Sequence, residues 1–257
     1  MPAIKMCLAP GGTTLGRVVT ERDTLREAGA IRSMFDGIAP RYDFLNHLLS
    51  LNRDRGWRDR VVALSAPAGP VLDVCAGTGD LTLRFAARGE LSVGADFSEP
   101  MLRIGREKSA REGRRAEFVA ADALHLPFPD RAFGTVSAAF GVRNLADLRG
   151  GLEEMARVAR PGGEVVVLEF TTPENPVLRA VYLLYFLIVL PIVGNLLSGS
   201  RDGAYSYLPR SVLRFPGRAR LAAILAGVGL MDVRVVDLSL GIVNVLIGRK
   251  PGAGEGR

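Results

Sequence analysis

Val71-Leu72-Asp73-Val74-Cys75 is a short apolar run that breaks at Ala76-Gly77-Thr78-Gly79 and resumes with helical character from Asp80-Leu81-Thr82. A buried strand, a glycine turn and a helix in that order commit the segment to a βα unit. The next apolar run, Leu91 to Ala95, closes on Asp96, about 20 residues beyond Gly77 and thus one strand–helix–strand unit away. In a parallel sheet the turn and this acid meet at the carboxyl edge, where open α/β sheets hold ligands. Gly77 and Gly79 let the backbone turn sharply and approach a ligand without an intervening Cβ. The amides that open the following helix face the same crevice, and Asp96 is placed to accept from both hydroxyls of a ribose.

The residues also bear on which ribose compound this is. A dinucleotide fingerprint wants a third glycine where this chain has Thr82. The acids Asp73 and Asp80 would repel a pyrophosphate but suit an ammonium group or a neighbouring sulfonium. S-adenosylmethionine, cationic and free of phosphate, is therefore the expected cofactor. A glycine turn of this kind also occurs as a plain tight turn, and a nicotinamide oxidoreductase is the rival enzyme class. Further along, Phe118 to Ala123 reads as a strand ending in Asp122, which could accept from an adenine amino group or be a solvated turn residue. Phe133 to Phe140 is the next strand, running into Gly141-Val142-Arg143-Asn144 at the same edge.

Strand-like runs at 71–75, 91–96, 116–121, 133–140, 164–170, 231–237 and 242–248 alternate with helix-like runs at 80–88, 98–112, 147–159 and 218–228. The alternation predicts an α/β domain with a mostly parallel seven-stranded sheet covered by helices on both faces. Pro161-Gly162-Gly163 is expected to stop the helix before the fifth strand. Residues 1–30 read as a tail that becomes helical near Thr24, 31–66 as two helices interrupted near Asn52, 31–250 as the domain, and 251–257 as a polar tail.

Composition excludes several function classes. The chain has 257 residues, 48% hydrophobic, enough for one large core. Its net charge of +6 comes from 33 basic residues, only three of them lysine, interspersed with acids rather than gathered in a stripe; no nucleic-acid surface is expected. Cys7, Cys75, His47 and His125 show no ligand spacing, so neither a disulfide framework nor a metal site is expected. No cleavable signal is read in Met1 to Thr20, which makes the cytoplasm the expected compartment.

Between Ala180 and Leu197 runs an uncharged apolar stretch close to the ~17-residue lower limit for a membrane span. Pro191, Gly194 and Asn195 lie in its second half, and a span there would separate the last strands from the rest of the sheet. It is expected to be a lid, within an insertion at 173–210, that covers an apolar substrate and touches the membrane interface; a transmembrane helix or ordinary core are the alternatives.

Met34-Phe35-Asp36-Gly37-Ile38-Ala39-Pro40-Arg41-Tyr42-Asp43-Phe44-Leu45-Asn46-His47, Trp57-Arg58, Asp73 to Thr82, Leu126 to Asp130, Phe140 to Asn144, Arg160 to Gly163, Leu168 to Phe170 and Tyr205 to Leu208 together resemble the quinone-biosynthesis C-methyltransferases acting on demethylmenaquinol and on a polyprenyl methoxybenzoquinol. The resemblance covers roughly 31 to 250. It implies the class I S-adenosylmethionine methyltransferase fold, Rossmann-like, and a prenylated quinol substrate, with Thr78, Asp96, Asp122 and Ala123 on cofactor-binding positions. Ala139 stands where relatives commonly have Ser, Leu246 where a histidine is frequent, and Asn52 where glycine is usual. A serine at position 139 would offer a cofactor hydrogen bond that alanine lacks.

The implied reaction moves a methyl group to a ring carbon, which becomes nucleophilic when an adjacent hydroxyl loses its proton. Arg143 could stabilise the phenolate, Tyr42 relay the proton, and Asn46 and Asn144 orient the ring. Alternatively, Arg143-Asn144 caps the next helix and pairs with Asp147, and Tyr42 packs a helix on the sheet. A methyltransferase for another lipophilic acceptor and a non-catalytic subunit of a quinone-synthesis assembly are the remaining readings. The run Arg214-Phe215-Pro216-Gly217 tilts the substrate towards the menaquinone type, and peripheral attachment to the inner face of the cell membrane is expected.

Overall fold

The structure is a computed structural model describing residues 21–198 and 204–254; most of the expected N-terminal tail, part of the lid insertion and the last three residues lie outside the described residues. Helix α1 spans Glu21–Ile38, so residues 21–30 are helix rather than tail, and the helical start precedes Thr24. Helices α2 (Tyr42–Leu49) and α3 (Arg53–Leu64) follow, separated by Leu51 and Asn52 at φ 54° and 59°. Asn52 can stand where glycine is usual because its short polar side chain tolerates the left-handed region.

The sheet comprises β1 (Val71–Val74), β2 (Ser92–Asp96), β3 (Ala116–Ala120), β4 (Phe133–Ala139), β5 (Ala159–Phe170), β6 (Met231–Leu238) and β7 (Val243–Arg249). Their order is β3-β2-β1-β4-β5-β7-β6, with β7 antiparallel to both neighbours. Helices α4 (Asp80–Ala87), α5 (Glu99–Glu112) and α6 (Leu148–Val158) cross over between the parallel strands, and α10 (Arg218–Gly227) leads into β6. The chain leaves β1 towards β2 on one side and returns to β4 on the other, which opens a crevice at the carboxyl ends of β1, β2 and β4.

One boundary differs from the sequence reading. Helix α6 ends at Val158, and Arg160 to Gly163 belong to the start of β5 rather than to a helix stop. Arg160 precedes a proline and disfavours the helical region, so the chain is already extended at Ala159, with φ −67° and ψ 138°. The glycines then pair with the end of β7, Gly162 N–H donating to Lys250 O and Lys250 N–H to Gly163 O.

The apolar stretch folds as α7 (Pro176–Leu184), a π turn over Tyr185–Val189, and α8 (Leu190–Ser198). Pro191 cannot donate to a carbonyl one turn back and its ring crowds that carbonyl; the wider turn just ahead of it accommodates this. Tyr182, Phe186 and Leu190 line one buried face against Met34, Ile38 and Leu45 of α1 and α2. The helix thus lies along the domain as a cover, followed by α9 (Ala204–Arg214). Its other face, with Val177, Val181, Leu184, Ile188, Ile192 and Leu196, is exposed.

Two buried features fix the sheet to its helices. The Phe118 ring lies where Cβ atoms on Gly79, Gly94 or Gly105 would come within 2.6–3.0 Å of it. Asp73, 1% exposed, clamps α4 and β4 onto β1 by accepting from Thr82 Oγ1 at 2.8 Å and Ser137 Oγ at 3.1 Å. Burial raises the Asp73 carboxyl from 3.8 to about 6 despite these hydrogen bonds. As pH rises from 4 through 6 the unfolded chain gives up this proton before the folded one does. Folding is therefore penalised increasingly over that window, by on the order of 2–3 kcal/mol once Asp73 is ionised in both states. Asp73→Asn, neutral throughout, should gain stability relative to wild type between pH 4 and pH 7.5 in urea denaturation. A stability gap that stays constant with pH would contradict this assignment.

Candidate functional site

Three adjoining cavities follow the carboxyl edge of the sheet. The largest, about 400 Å³, is lined by Val74, Cys75, Ala95, Asp96, Phe97, Ala121 to Leu126 and Asn144 to Ala146, with Gly29, Ile31 and Arg32 of α1 along one side. It narrows into a throat of about 50 Å³ that shares Cys75, Asp96, Phe97, Asn144 and Leu145 and adds Gly77, Ala139 and Phe140. Phe35 and Tyr42 separate this throat from a third cavity of about 40 Å³ bounded by Asn46, Arg143, Tyr207 and Leu208.

Asp96 sits where the first two cavities meet. Its Oδ2 accepts from Gly77 N–H at 2.8 Å and its Oδ1 from Ser98 N–H at 2.9 Å. Burial raises its carboxyl above the usual range while these amides oppose the rise. A carboxylate offers about four acceptor positions, so Asp96 keeps acceptor capacity for a hydroxyl in the cleft. Gly77, at φ 56°, turns its amide towards this acid, so the glycine turn donates inward to Asp96 instead of cradling a phosphate. Cys75 and Phe140, also at positive φ, mark the ends of β1 and β4 as strained where they meet the throat.

The structure brings Gly77, Asp96, Asp122, Ala123, Ala139, Asn144, Tyr42, Asn46 and Arg143 onto these cavity walls. Three other candidates point elsewhere. Asp73 is buried behind the turn as the clamp described above. Thr78 donates to Asp43 Oδ1 at 2.5 Å and accepts from Lys108 Nζ. Gly79, at φ 81°, lies outside the three cavity linings, and a Cβ there would meet the Phe118 ring at 2.6 Å. Asp80 likewise does not await an ammonium group. It is paired with Lys108 at 2.7 Å, and although burial raises it, Arg58 and Lys108 hold it at about 2.

Asp122 is largely exposed; its Oδ1 accepts from Leu124 N–H, and its backbone bridges to His125. Arg143 does not pair with Asp147, which instead caps α6 by accepting from Gly150 N–H at 3.0 Å. It donates to Phe140 O and, at 2.8 Å, to Glu169 Oε1, and stands over the Phe170 ring at 5.7 Å. Tyr42 is half-buried, and desolvation raises its hydroxyl despite Arg58, Arg143 and the Asn46 hydrogen bond. Asn144 accepts from Tyr207 Oη at 3.1 Å. His47, Asp54 and Asp80 bring ligand atoms within 4.8 Å of one another. Asp54 is bound there to Arg58 and Asp80 to Lys108, so these acids already have cationic partners.

Sequence reasoning missed Phe35, Phe97, Leu145 and Tyr207 as wall residues, and Glu169 as the partner of Arg143. Phe97 and Leu145 adjoin residues it named; Phe35, Glu169 and Tyr207 stand within the motifs that carry the resemblance, but they reach the site only through tertiary packing of α1, β5 and α9.

Comparison with known proteins agrees with this geometry. The model of the ubiE/COQ5 methyltransferase family matches residues 22–250. The chain is 46% identical over 227 residues to the ubiquinone/menaquinone biosynthesis C-methyltransferase UbiE of Geotalea daltonii, covering 86% of this chain and 96% of that one. It is 48% identical over 222 residues to the demethylmenaquinone methyltransferase of Thermus thermophilus, covering 85% of this chain and all of the other. Among solved structures, a SAM-dependent methyltransferase from Thermotoga maritima shares the fold with a TM-score of 0.61 at 18% identity, over 85% of this chain and 98% of that one. The seven-stranded sheet with its reversed last strand, the acid at the tip of β2 and the match across nearly the whole described chain lead to one assignment: the chain belongs to the ubiE/COQ5 methyltransferase family.

Proposed function

We propose that the protein transfers a methyl group from S-adenosylmethionine to a ring carbon of a prenylated quinol, with demethylmenaquinol as the acceptor. The observation that carries this reading is the line of three cavities. A largely apolar cleft with an acid, Asp96, at its inner end leads through a narrow throat to a small chamber walled by Phe35, Ile38, Tyr42, Asn46 and Arg143. Asp96 would hold the ribose hydroxyls, and Ala123, Leu126 and Leu145 would flank the adenine beside Asp122. The residues fit this group and not a pyrophosphate, because the turn amide is already given to Asp96 and an acid would face the phosphate. When bound, S-adenosylmethionine supplies an electrophilic methyl on a cationic sulfur.

The chain's own residues do the rest. Tyr42 and Phe35 line both the throat and the chamber, so they would position a ring facing the throat, where a displacement requires an approach of roughly 3–3.5 Å. Arg143 carries a fixed positive charge towards the chamber and stabilises the negative charge that develops on a ring oxygen. Asn46 hydrogen-bonds Tyr42 and Asn144 accepts from Tyr207, which sets an amide group beside each tyrosine. The names of the relatives support both naphthoquinol and benzoquinol acceptors, and the Arg214-Phe215-Pro216-Gly217 run supports the former.

The outer face of α7 and α8 supports peripheral contact with the cytoplasmic side of the membrane. Val177, Val181, Leu184, Ile188, Ile192 and Leu196 form an exposed apolar ridge. Helix α2, packed on α8, adds Phe44 and Leu48, and the turn after it Leu51, with exposed Arg53 and Arg55 following at the start of α3. An apolar ridge beside cationic side chains suits the surface of an anionic bilayer, the phase in which a polyprenyl tail resides.

Labelled S-adenosylmethionine should deliver methyl to a reduced demethylnaphthoquinone in preference to a reduced methoxybenzoquinone; no label in either ring would contradict the proposed reaction. Arg143→Ala should lower kcat by about 10²-fold while cofactor affinity measured by calorimetry stays close to wild type. Unchanged turnover would remove Arg143 from the chemistry. Leu184→Asp combined with Ile188→Asp should abolish co-sedimentation with anionic phosphatidylglycerol vesicles while preserving turnover of a short-chain acceptor. Undiminished vesicle binding would contradict the ridge as the attachment face.

A further inference from the structure

The ring chamber has one electrostatic gap. A methyl acceptor of this kind must lose a hydroxyl proton, yet none of its described wall residues is a base at neutral pH. The Arg143 guanidinium has donors and no acceptor, and desolvation pushes the Tyr42 hydroxyl further above its ordinary value of 10. The remaining walls are Met34, Phe35, Ile38, Asn46, Tyr207 and Leu208, none of which offers a neutral-pH acceptor.

Directly behind Arg143 lies a buried group of polar atoms that the fold leaves without partners. Glu169, at the end of β5, is completely buried; its Oε1 accepts from Arg143 Nη1 at 2.8 Å and from Phe170 N–H at 2.9 Å, while its Oε2 has no partner. Arg143 Nε, Tyr182 Oη and Asn244 Nδ2 are likewise buried and unpartnered. Asn244 faces Glu169 across the β5–β7 ladder, and the Tyr182 hydroxyl lies close enough to both Arg143 and Glu169 to feel their charges. Buried polar atoms without hydrogen bonds are uncommon and costly. Three of them, Arg143 Nε and Tyr182 Oη as donors and Glu169 Oε2 as acceptor, are complementary to a single phenolic hydroxyl, which donates once and accepts twice.

We propose that this polar cluster, reached from the chamber past Arg143, takes one ring hydroxyl of the quinol and that Glu169 is the base of the reaction, a step that rests on the methyl-transfer reading above. The ring oxygen accepts from Arg143 Nε–H and Tyr182 Oη–H and donates to Glu169 Oε2. The proton passes to Oε2, and the electron pair left on oxygen pushes into the ring. The carbon–carbon bond forms as the methyl–sulfur bond breaks with its pair retained by sulfur. The methylated carbon then releases its hydrogen as a proton to solvent, and Glu169 returns its own proton to the ring oxygen. The ring is again a hydroquinol, the carboxylate is again ionised, and one proton has been released for each methyl transferred.

The groups that face Glu169 from the packed elements are Arg143 from the turn after β4, Tyr182 from α7 and Cys75 from the end of β1, with neutral Asn244 on β7. Burial raises the Glu169 carboxyl above its ordinary 4.5 although Arg143 opposes this, which brings a carboxylate base nearer to working pH. The base form is lost as pH falls through that raised value, so wild-type kcat should decline on the acid side.

The test is the pH profile of kcat for wild type, Glu169→Gln and Tyr182→Phe with labelled S-adenosylmethionine and a reduced short-chain demethylnaphthoquinone, alongside cofactor calorimetry and thermal melts. Glu169→Gln keeps the shape and a carbonyl for Arg143; its kcat should fall by about 10²-fold or more, with the acid limb gone and cofactor affinity retained. A Glu169→Gln enzyme with wild-type turnover and the wild-type acid limb overturns the proposal. A purely structural role would lower the melting temperature or raise KM and leave the profile's shape unchanged, which also counts against it. Should Glu169→Gln fail to fold, Tyr182→Phe decides: loss of an unpartnered buried hydroxyl should leave the melting temperature equal or higher while kcat drops, and unchanged kcat overturns the proposal. Wild-type turnover in the same assay separates the two levels. An active wild type with unaffected variants refutes the role of Glu169 alone, whereas an inert wild type that still binds the cofactor refutes the methyl-transfer reading and this step with it.

Discussion

The carboxylate of Asp96 accepting two backbone amides, Gly77 N–H from the turn after β1 and Ser98 N–H from the start of α5, is the contact on which the crevice depends. It draws two neighbouring strand ends together and fixes the helix that follows. Removing an acid of this kind from water is unfavourable unless donors replace its hydration. The two amides do that on one side of the group and leave the other side open to the cleft. Because the turn amide points inward to an acid, this edge of the sheet prefers a neutral sugar and a positive centre to a phosphate.

The part of the site carried by local sequence was legible, and the part carried by tertiary packing was not. The βα unit, the spacing to Asp96, the run after β4 and the seven strands follow from periodicity, glycine and length. Parity within a fully buried strand does not: in Val71 to Val74 every residue is buried, so nothing in the pattern told whether Asp73 faced the ligand or the helix. Thr82, read only as a missing glycine, proves to be the donor that engages Asp73. Thr78 and Asp80 were drawn away by Asp43 and Lys108, partners 35 and 28 residues distant in the chain. Glu169 meets Arg143 across 26 residues, and no spacing rule couples them.

The apolar stretch before the last helices shows the same limit from another direction. Hydropathy alone gives a helix long enough to cross a bilayer, yet Tyr182, Phe186 and Leu190 close one face onto α1 and α2 while the opposite face remains exposed. The same element thus packs its inner side on α1 and α2, which wall the chamber, and presents a lipid-compatible surface on its outer side. That division suits a reaction whose acceptor has a polar ring and an apolar tail, because the ring can enter the chamber while the tail stays at the exposed face.

Calorimetric titration with S-adenosylhomocysteine of wild type and of Asp96→Asn, which keeps the shape and removes the charge, tests the account most directly. Measurable binding by wild type, weakened at least about tenfold in the variant, or roughly 1.4 kcal/mol, is the predicted result. No heat with the wild-type protein, or equal affinity in the two, would contradict the assignment of this crevice to an adenosyl sulfur compound held by Asp96.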